Sequence, residues 1–326
     1  MLNLFRRPSL LAGIMLFIIA LLLRTPAFLH LAKYEFIQTA PFARLFFGYW
    51  SALPNIFFWS LMFNGILLFL QAMFLNYIVN SQGILYKNTF LPGLVFLIIN
   101  SFFLQQNELT PHLISNTFLL LLFQRLCYLY ESPNPLLVVL DAGLYLGVGV
   151  LFNYDLLVFL PFILISVVLI RSFNIRYLII SIIGLFLPLY FTGVYFYTTD
   201  RFAELWLYII QSFETKNLMV NESDSSRLAP WAIVVPIIAV AVFNLQQNFF
   251  RNKVKTRRII QMVYLFLPIG FASVFLDNNN YMYSIIYGSV PISILIGYYF
   301  ISERRFWLKE VLFLTLLFMC FFFQLR

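Results

Sequence analysis

Charged residues are scarce in this sequence. Only 10% of its 326 residues are Asp, Glu, Lys or Arg, whereas 62% are hydrophobic. Because a soluble globular domain carries about 25% charged residues, this composition excludes an ordinary soluble protein and indicates a single transmembrane domain over residues 1–326. The net charge of +8 is then expected to report membrane topology rather than nucleic-acid binding.

Histidine and cysteine are almost absent. The two histidines, His30 and His112, are too few for an iron site built from four imidazoles. The two cysteines, Cys127 and Cys320, lie in apolar runs near opposite faces of the expected membrane, so no disulfide is predicted between them. The sequence also lacks a glycine-rich phosphate loop after a strand and any metal-ligand spacing of Cys or His. The motifs of soluble catalysis are therefore absent.

Long apolar runs are what the sequence has in abundance. Because a helix needs about 20 apolar residues to cross a bilayer, we predict an all-α, polytopic membrane protein with about 11 transmembrane helices. The first run has no small-residue cleavage pattern after it, so it is predicted to remain as the first helix. The predicted spans are 9–23, 54–78, 88–104, 112–129, 136–152, 156–170, 177–197, 230–247, 259–276, 283–301 and 307–325.

Two longer polar loops, at 24–53 and 198–229, separate these spans on one face. Each mixes aromatic and charged residues at spacings typical of amphipathic helices that lie in the membrane interface. The loop at 248–258 is strongly basic and falls on the opposite face. By the positive-inside rule, the sequence predicts a bacterial-type cytoplasmic (inner) membrane protein whose N-terminus is cytoplasmic and whose C-terminus is outside.

Asp141 is the one carboxylate well inside a predicted span. It lies roughly 9 Å into its helix, where a carboxylate is costly unless it is paired or functional. Arg125, near the same end of the preceding span, is the expected partner in an intramembrane polar pair, and a proton or ion site is the alternative. In the same helix, Gly143 and Gly147 form a small-xxx-small pair that predicts close helix packing.

Polar side chains collect in three of the predicted outer connections. If these connections converge, their acids, bases and aromatic rings would suit a lipid-phosphate substrate at the membrane surface; if they do not, they are ordinary solvated loops. The candidate residues are His30, Lys33, Glu35 and Arg44 in the first loop, Glu108 and His112 around the start of the fourth span, and Asp155 after the fifth.

Two stretches carry a resemblance to a known family. ELTPH at 108–112 precedes an apolar helix, and GLYLGVG at 143–149 is followed by LLVFLPFILI at 156–165. Together with the long first outer loop, they resemble the GT-C superfamily of membrane glycosyltransferases over roughly residues 1–190.

The resemblance implies transfer of a sugar from a polyprenyl-phosphate donor at the outer face of the membrane, with an acidic catalytic residue in the first outer loop. Glu35 would be that catalytic residue. A divalent metal ion is expected only if the chain is catalytic. The candidate substrate-binding residues are the polar residues of the outer connections, His30, Lys33, Arg44, Glu108, His112 and Asp155.

Two other functions remain open from the sequence. A non-catalytic relative would serve as a subunit or scaffold of an inner-membrane complex and would present a flat apolar lateral face without a cavity. A transporter would have a polar path through the bundle that includes Asp141. The expected partners are the lipid bilayer and, depending on the function, a polyprenyl-phosphate lipid or other membrane proteins; no nucleic-acid partner is expected.

Overall fold

The computed structural model describes residues 2–29, 40–50, 54–213, 225–276, 281–301 and 306–325. Within these ranges the regular structure is entirely helical, which confirms the all-α prediction. The α-helices are α1 (Leu2–Phe5), α2 (Leu10–Leu22), α3 (Thr25–Leu29), α4 (Pro41–Trp50), α5 (Ile56–Ser81), α6 (Leu91–Ile99), α7 (Pro111–Tyr128), α8 (Pro135–Phe152), α9 (Leu160–Arg171), α10 (Ile175–Thr198), α11 (Phe202–Phe213), α12 (Ser225–Gln247), α13 (Val254–Leu276), α14 (Tyr281–Ile301) and α15 (Phe306–Leu325). Short 3-10 helices occupy Leu104–Asn107, Tyr154–Phe159 and Phe249–Arg251.

Eight helical stretches of the described chain are long and apolar enough to cross a membrane. The prediction of about 11 includes three further spans, which are not among these eight stretches. The eight stretches are Leu10–Ala27, Ile56–Ser81, Pro135–Phe152, Tyr154–Arg171, Ile175–Thr198, Val254–Val274, Tyr283–Ile301 and Trp307–Gln324.

The three remaining predicted spans coincide with α6, α7 and α12. α6 has nine residues and is therefore roughly 13 Å long, less than half of a bilayer core of about 30 Å. α7 has 18 residues but contains buried polar side chains, among them His112 and Asn116. α12 has 23 residues and begins at Ser225, five residues before the predicted start.

Hydrogen bonds between distant chain segments identify one end of the bundle. Arg6 Nη2 donates to the carbonyl of Phe300 at 3.0 Å, and Thr256 Oγ1 donates to the carbonyl of Gly83 at 3.3 Å. These contacts gather the start of the chain, the α5–α6 connection, the start of α13 and the end of α14 at what is called the amino-terminal end below. The opposite end, where α5 and α7 begin and α8 finishes, is called the far end.

α14 occupies the centre of the bundle. Of the span Tyr283–Ile301, 94% is buried, against 22% of Ile175–Thr198 in α10. Small residues make this central position possible: a Cβ added to Gly270 of α13 would lie 2.9 Å from the Cα of Gly288 in α14. Membrane helices that approach so closely gain packing contacts without a hydrophobic driving force.

The chain between α6 and α7 is not α-helical. Residues 100–110, called the linker below, complete the path from the end of α6 to the far end. Non-helical backbone at membrane depth is tolerated only where protein or water satisfies its polar groups. At the start of the linker, the carbonyl of Ser101 accepts hydrogen bonds from Cys320 Sγ at 2.8 Å and from Gln324 Nε2, both on α15.

α5 supplies hydrogen bonds to the rest of the linker. Ser60 Oγ accepts from the backbone N–H of Leu109 at 2.8 Å. The side-chain amide of Asn64 donates to the carbonyls of Gln106 at 3.1 Å and Glu108 at 2.6 Å. Because Ser60 and Asn64 are four residues apart, they lie on the same face of α5, and that face holds the linker in place.

α8 and α10 pack through glycine, as the small-xxx-small pattern predicts. A Cβ added to Gly143 would collide with the carbonyl oxygen of Ser181, and one added to Gly184 would lie 2.6 Å from the carbonyl oxygen of Leu140. Gly147 faces α10 in the same way, against the carbonyl of Leu185. The two backbones are therefore in direct contact, which confirms the packing prediction for Gly143 and Gly147.

We predict that Gly147→Ala lowers the thermal midpoint of the detergent-purified protein, because the added methyl group would collide with the Leu185 carbonyl and the Pro188 ring. Overpacking of this kind costs about 1–3 kcal/mol. Gly193→Ala on α10 is the matched control, since nothing lies within 4 Å of its added Cβ and alanine has the higher helix propensity. Equal midpoints for the two variants would contradict the tight α8–α10 contact.

Candidate functional site

The structure brings part of the predicted site together at the far end. Some predicted site residues lie outside the described ranges, namely His30, Lys33 and Glu35. The others come from four separate segments, namely Arg44 in α4, Glu108 in the linker, His112 at the start of α7 and Asp155 in the 3-10 helix that follows α8.

His112 and Asp155 face each other, with 3.6 Å between Nε2 and Oδ2. Local sequence positions both side chains. Thr110 Oγ1 accepts from the Leu113 backbone N–H and caps α7, and Asn153 Oδ1 accepts from the Asp155 backbone N–H, each at 3.3 Å. The separation is too long for a hydrogen bond, so the pair interacts by charge when the imidazole is protonated. The side chain of His112 is 6% exposed and that of Asp155 is 21% exposed, so the carboxylate is the member that the surface can reach.

A chain of hydrogen bonds ties the backbone at His112 to α8 and α14. Asn153 Nδ2 donates to the hydroxyl of Tyr287 at 2.8 Å, and Ser115 Oγ donates to the carbonyl of His112 at 3.0 Å. The Tyr287 and Ser115 oxygens are 2.6 Å apart. Since each hydroxyl has one proton to donate, Tyr287 donates to Ser115. The network runs from the end of α8 through α14 to α7 and fixes the register of the three helices at the far end.

Glu108 is the second carboxylate of the site and lies in the linker. Burial raises its pKa from 4.5 to about 7, because the ionised form loses hydration there. Its backbone carbonyl is held by Asn64 at 2.6 Å. A carboxyl group that changes its charge near neutral pH is suited to give or take a proton.

Arg24 is a fully buried cation on the α2 side of the linker. It is 1% exposed; Nε donates to Asn64 Oδ1 at 2.8 Å, and Nη1 donates to the carbonyl of Ala20 at 2.6 Å. Its Nη2 has no hydrogen-bond partner among the described residues, and no acidic side chain there pairs with it. Gly65 makes room for the side chain, because a Cβ at that position would lie 3.2 Å from Arg24 Cδ.

An apolar groove between α2 and α5 leads to Arg24. A cavity of 350 Å³ is lined by Arg24 and by apolar side chains that include Leu21 and Leu61. A second cavity of 600 Å³ continues along α2 toward the amino-terminal end and shares Phe17 with the first. The two cavities together are called the α2–α5 groove below. The groove is open along the side of the bundle and has a buried guanidinium at its far end.

Arg44 connects the outer helices to this region. Its guanidinium carbon lies 4.0 Å above the centre of the Tyr208 ring in α11, a cation–π distance. The rings of Phe42 and Phe152 are 5.8 Å apart, which places α4 against the end of α8. α4 and α11 therefore meet beside the His112–Asp155 pair.

Arg125 and Asp141 form an ion pair at the amino-terminal end, away from the other candidate residues. Arg125 Nε lies 3.4 Å from Asp141 Oδ2, and the two side chains are 39% and 34% exposed. The pair joins the last part of α7 to the first part of α8 on the outside of the bundle. Asp141 is thus turned away from the interior of the bundle, where a transport path would run.

The described residues do not gather a metal-binding cluster. No three His, Cys, Asp or Glu side chains come together within these ranges. The His112–Asp155 pair offers one imidazole and one carboxylate, fewer than the three protein ligands that catalytic zinc sites use. These residues therefore do not fit a protein-held metal.

Sequence reasoning does not identify Arg24, Asn64 or Tyr287 as site residues. Two of them leave a signal, since Arg24 directly ends an apolar run and Asn64 interrupts another. Polar residues inside apolar runs are rare because they are costly there. Tyr287 leaves none, because the chain has 19 tyrosines and many of them are interfacial or lipid-facing.

We predict that the free energy of unfolding falls as the pH rises from about 4.5 to about 7, the two pKa values of the Glu108 carboxyl group. In this window the folded protein holds a proton that the unfolded chain has lost, so raising the pH releases that proton and removes stability. The slope due to Glu108 is at most about 1.4 kcal/mol per pH unit. Glu108→Gln should abolish this component, whereas Glu204→Gln, at an exposed carboxylate of α11, should retain it. Thermal midpoints across the window test this, and an unchanged profile in Glu108→Gln would contradict it.

Comparison with known proteins gives a family and no curated relative. Residues 42–326 match the model of a family of unknown function, DUF6427. No curated protein matches the sequence. The matched range includes the linker, the His112–Asp155 pair and every helix from α5 to α15. Because it spans most of the 326 residues, this chain belongs to the DUF6427 family.

Proposed function

We propose that this protein is a membrane glycosyltransferase that takes a sugar from a polyprenyl-phosphate donor at the far end of the bundle. The observation that supports the proposal most strongly is the buried guanidinium of Arg24 at the end of the α2–α5 groove. A buried charge in a membrane is costly and is usually paired or functional. A ligand with an anionic group and a long apolar chain fits this cation and this groove together.

The phosphate of the donor is proposed to bind Arg24. A guanidinium is planar, always charged and presents its donors as a fork that matches phosphate oxygens. Asn64 and Ala20 already hold two of the donors of Arg24, so the orientation of the fork is fixed. Nη2 is the donor left for a phosphate oxygen, and the polyprenyl chain would lie along α2 in the groove.

The reaction also requires an acid–base group and residues that bind the sugar and the acceptor. Glycosyl transfer requires a base that takes the proton of the acceptor hydroxyl as its oxygen attacks the sugar C1. The bond from C1 to the phosphate oxygen breaks at the same time, and the polyprenyl phosphate leaves with the electron pair. Glu35 is the proposed base, in keeping with the resemblance to GT-C enzymes. Glu108 and the His112–Asp155 pair are proposed to bind the sugar and acceptor hydroxyls.

The proposal includes a complete topology. α6 with the linker, α7 and α12 would supply the remaining crossings of about eleven, while α4 and α11 would lie in the outer interface. The basic residues at 251–258 would then face the cytoplasm, and the far end would face the outside of a bacterial-type inner membrane. The amino terminus would be cytoplasmic and the carboxyl terminus outside.

We predict that a membrane-impermeant maleimide labels Arg201→Cys but not Lys253→Cys in intact cells, because the basic-residue bias places residue 253 in the cytoplasm. Both positions are exposed, and both native cysteines are buried, so background labelling should be low. Lysed cells provide the control, in which both variants should react. Labelling of Lys253→Cys alone in intact cells would contradict the orientation.

We predict that Arg24→Gln weakens the binding of a polyprenyl phosphate by tenfold or more, the usual order for a lost charge-assisted hydrogen bond of about 1.5–3 kcal/mol. Native mass spectrometry of the detergent-purified protein measures the bound lipid. Arg201→Gln, at a 63% exposed arginine of the far end, is the matched control and should bind normally. Ile18→Trp fills the groove and leaves Arg24 in place, so it should weaken binding even if Arg24→Gln proves unstable.

The same preparation tests catalysis with a polyprenyl-phosphate hexose. Glu35→Gln should lower the release of polyprenyl phosphate by roughly 100-fold or more while lipid binding stays at the wild-type level. Glu204→Gln is the matched control. Binding without any release by the wild-type protein would favour the non-catalytic subunit instead, and absence of binding would contradict the proposal.

A further inference from the structure

A polar cleft opens at the amino-terminal end, on the opposite side of the bundle from the proposed glycosyltransferase site. One cavity of 590 Å³ and a neighbouring cavity of 480 Å³ share Tyr86, Arg251 and Asn252. The two are called the Arg251 cleft below. The larger cavity falls within the usual range of about 300–1,000 Å³ for ligand sites, and amide and tyrosine side chains, including Gln247 and Tyr298, line it.

Two hydrogen-bond donors of the cleft are uncommitted. The guanidinium of Arg251 makes no hydrogen bond or ion pair with any residue that the structure describes. Asn252 Nδ2 is buried and lacks an acceptor within the same ranges. Lys309 adds positive charge behind the cleft, with its Nζ 4.6 Å above the ring of Tyr299.

Among the described residues that line the two cavities, the acidic side chain is that of Glu131. Glu131 lines the smaller cavity, but Lys255 Nζ already pairs with it at 2.9 Å. Amide donors and an uncommitted guanidinium favour a ligand with several acceptor oxygens and a negative charge. A phosphate ester has both properties, and its geometry matches the guanidinium fork.

The surroundings of Arg251 indicate that the phosphate belongs to a lipid. Phe250, the residue before it, is 82% exposed, and Phe243 on α12 is 65% exposed. Large aromatic side chains at this level of a membrane protein face the lipid or its interface. An ester whose phosphate contacts Arg251 would therefore have apolar protein surface beside it for acyl chains.

We propose that the Arg251 cleft is a binding site for the phosphate of an anionic phospholipid head group. Arg251 binds the phosphate oxygens, the amides of Gln247 and Asn252 bind the remaining head-group oxygens, and Phe250 contacts the acyl chains. The site is separate from the α2–α5 groove and does not depend on glycosyl transfer.

The test compares two arginines of the same basic run. Full-length protein in mild detergent is titrated with phosphatidylglycerol or phosphatidylcholine, and the bound lipid is measured by native mass spectrometry. The wild-type protein should prefer phosphatidylglycerol, and Arg251→Gln should lose about tenfold in affinity. Arg258→Gln removes the same charge at an exposed position that lines neither cavity, and it should retain wild-type binding. Thermal midpoints of both variants report whether they are folded.

Three results would overturn the proposal. Equal losses in Arg251→Gln and Arg258→Gln would show diffuse attraction by the basic run instead of a site. Equal binding of the two lipids by the wild-type protein would show that the phosphatidylglycerol charge is not recognised. Glycerol 3-phosphate serves as the soluble arm, and Arg251-dependent binding of it that is as tight as phosphatidylglycerol binding would assign the cleft to a water-soluble phosphate ester.

Discussion

The side chain of Asn64 makes the hydrogen bonds on which the far end depends. Its oxygen accepts from Arg24, and its nitrogen donates to two carbonyls of the linker. One amide therefore joins α2, α5 and the linker. Polar groups left unpaired in hydrocarbon are costly, and an apolar residue at position 64 would leave a buried cation and two carbonyls without these partners. This requirement fixes the relative positions of the three segments.

The need to pair buried polar groups also explains why the far end contains charged and polar side chains. A continuous α-helix would satisfy its own backbone and would need no polar neighbours. Because the linker is not α-helical, α5 must present Ser60 and Asn64 to it, and these residues make the surroundings polar enough for Arg24. Glu108 is carried into partial burial by the linker itself. The hydrogen bonds that stabilise the interruption and the groups proposed to handle a lipid phosphate thus lie in one place.

Local signals in the sequence predict most of the helices well. The turn at 132–135 and the apolar run at 283–301 can be recognised from neighbouring residues alone. The bounds of α8 and α14 agree with the predicted spans to within two residues. α6 ends earlier than predicted because Asn100 and Ser101 hydrogen-bond back to the carbonyls of Phe96 and Leu97, at 2.8 Å each. Hydropathy does not report that competition between side chain and backbone.

The candidate site is harder to predict than the helices, because its contacts join distant parts of the chain. The polar outer connections can be recognised from the local sequence. His112 and Asp155 are 43 residues apart in the sequence, and the fold brings their side chains to 3.6 Å from each other. The burial of Arg24 depends on Asn64, 40 residues away, and on the missing side chain of Gly65. Neither partner is visible from the sequence around Arg24. Long-range hydrogen bonds of this kind require the tertiary arrangement to be known.

The central position of α14 has a consequence for how the protein is made. Among the described α-helices α14 is the last but one, yet the earlier helices surround it, and all nine residues of α6 are buried in the completed bundle. A chain that has been synthesised only to residue 280 lacks this central helix. The helices inserted before that point would lack the contacts that α14 makes in the centre of the native bundle. The native bundle therefore cannot be completed before α14 has been synthesised and inserted, and the chain up to that point is exposed to misassembly.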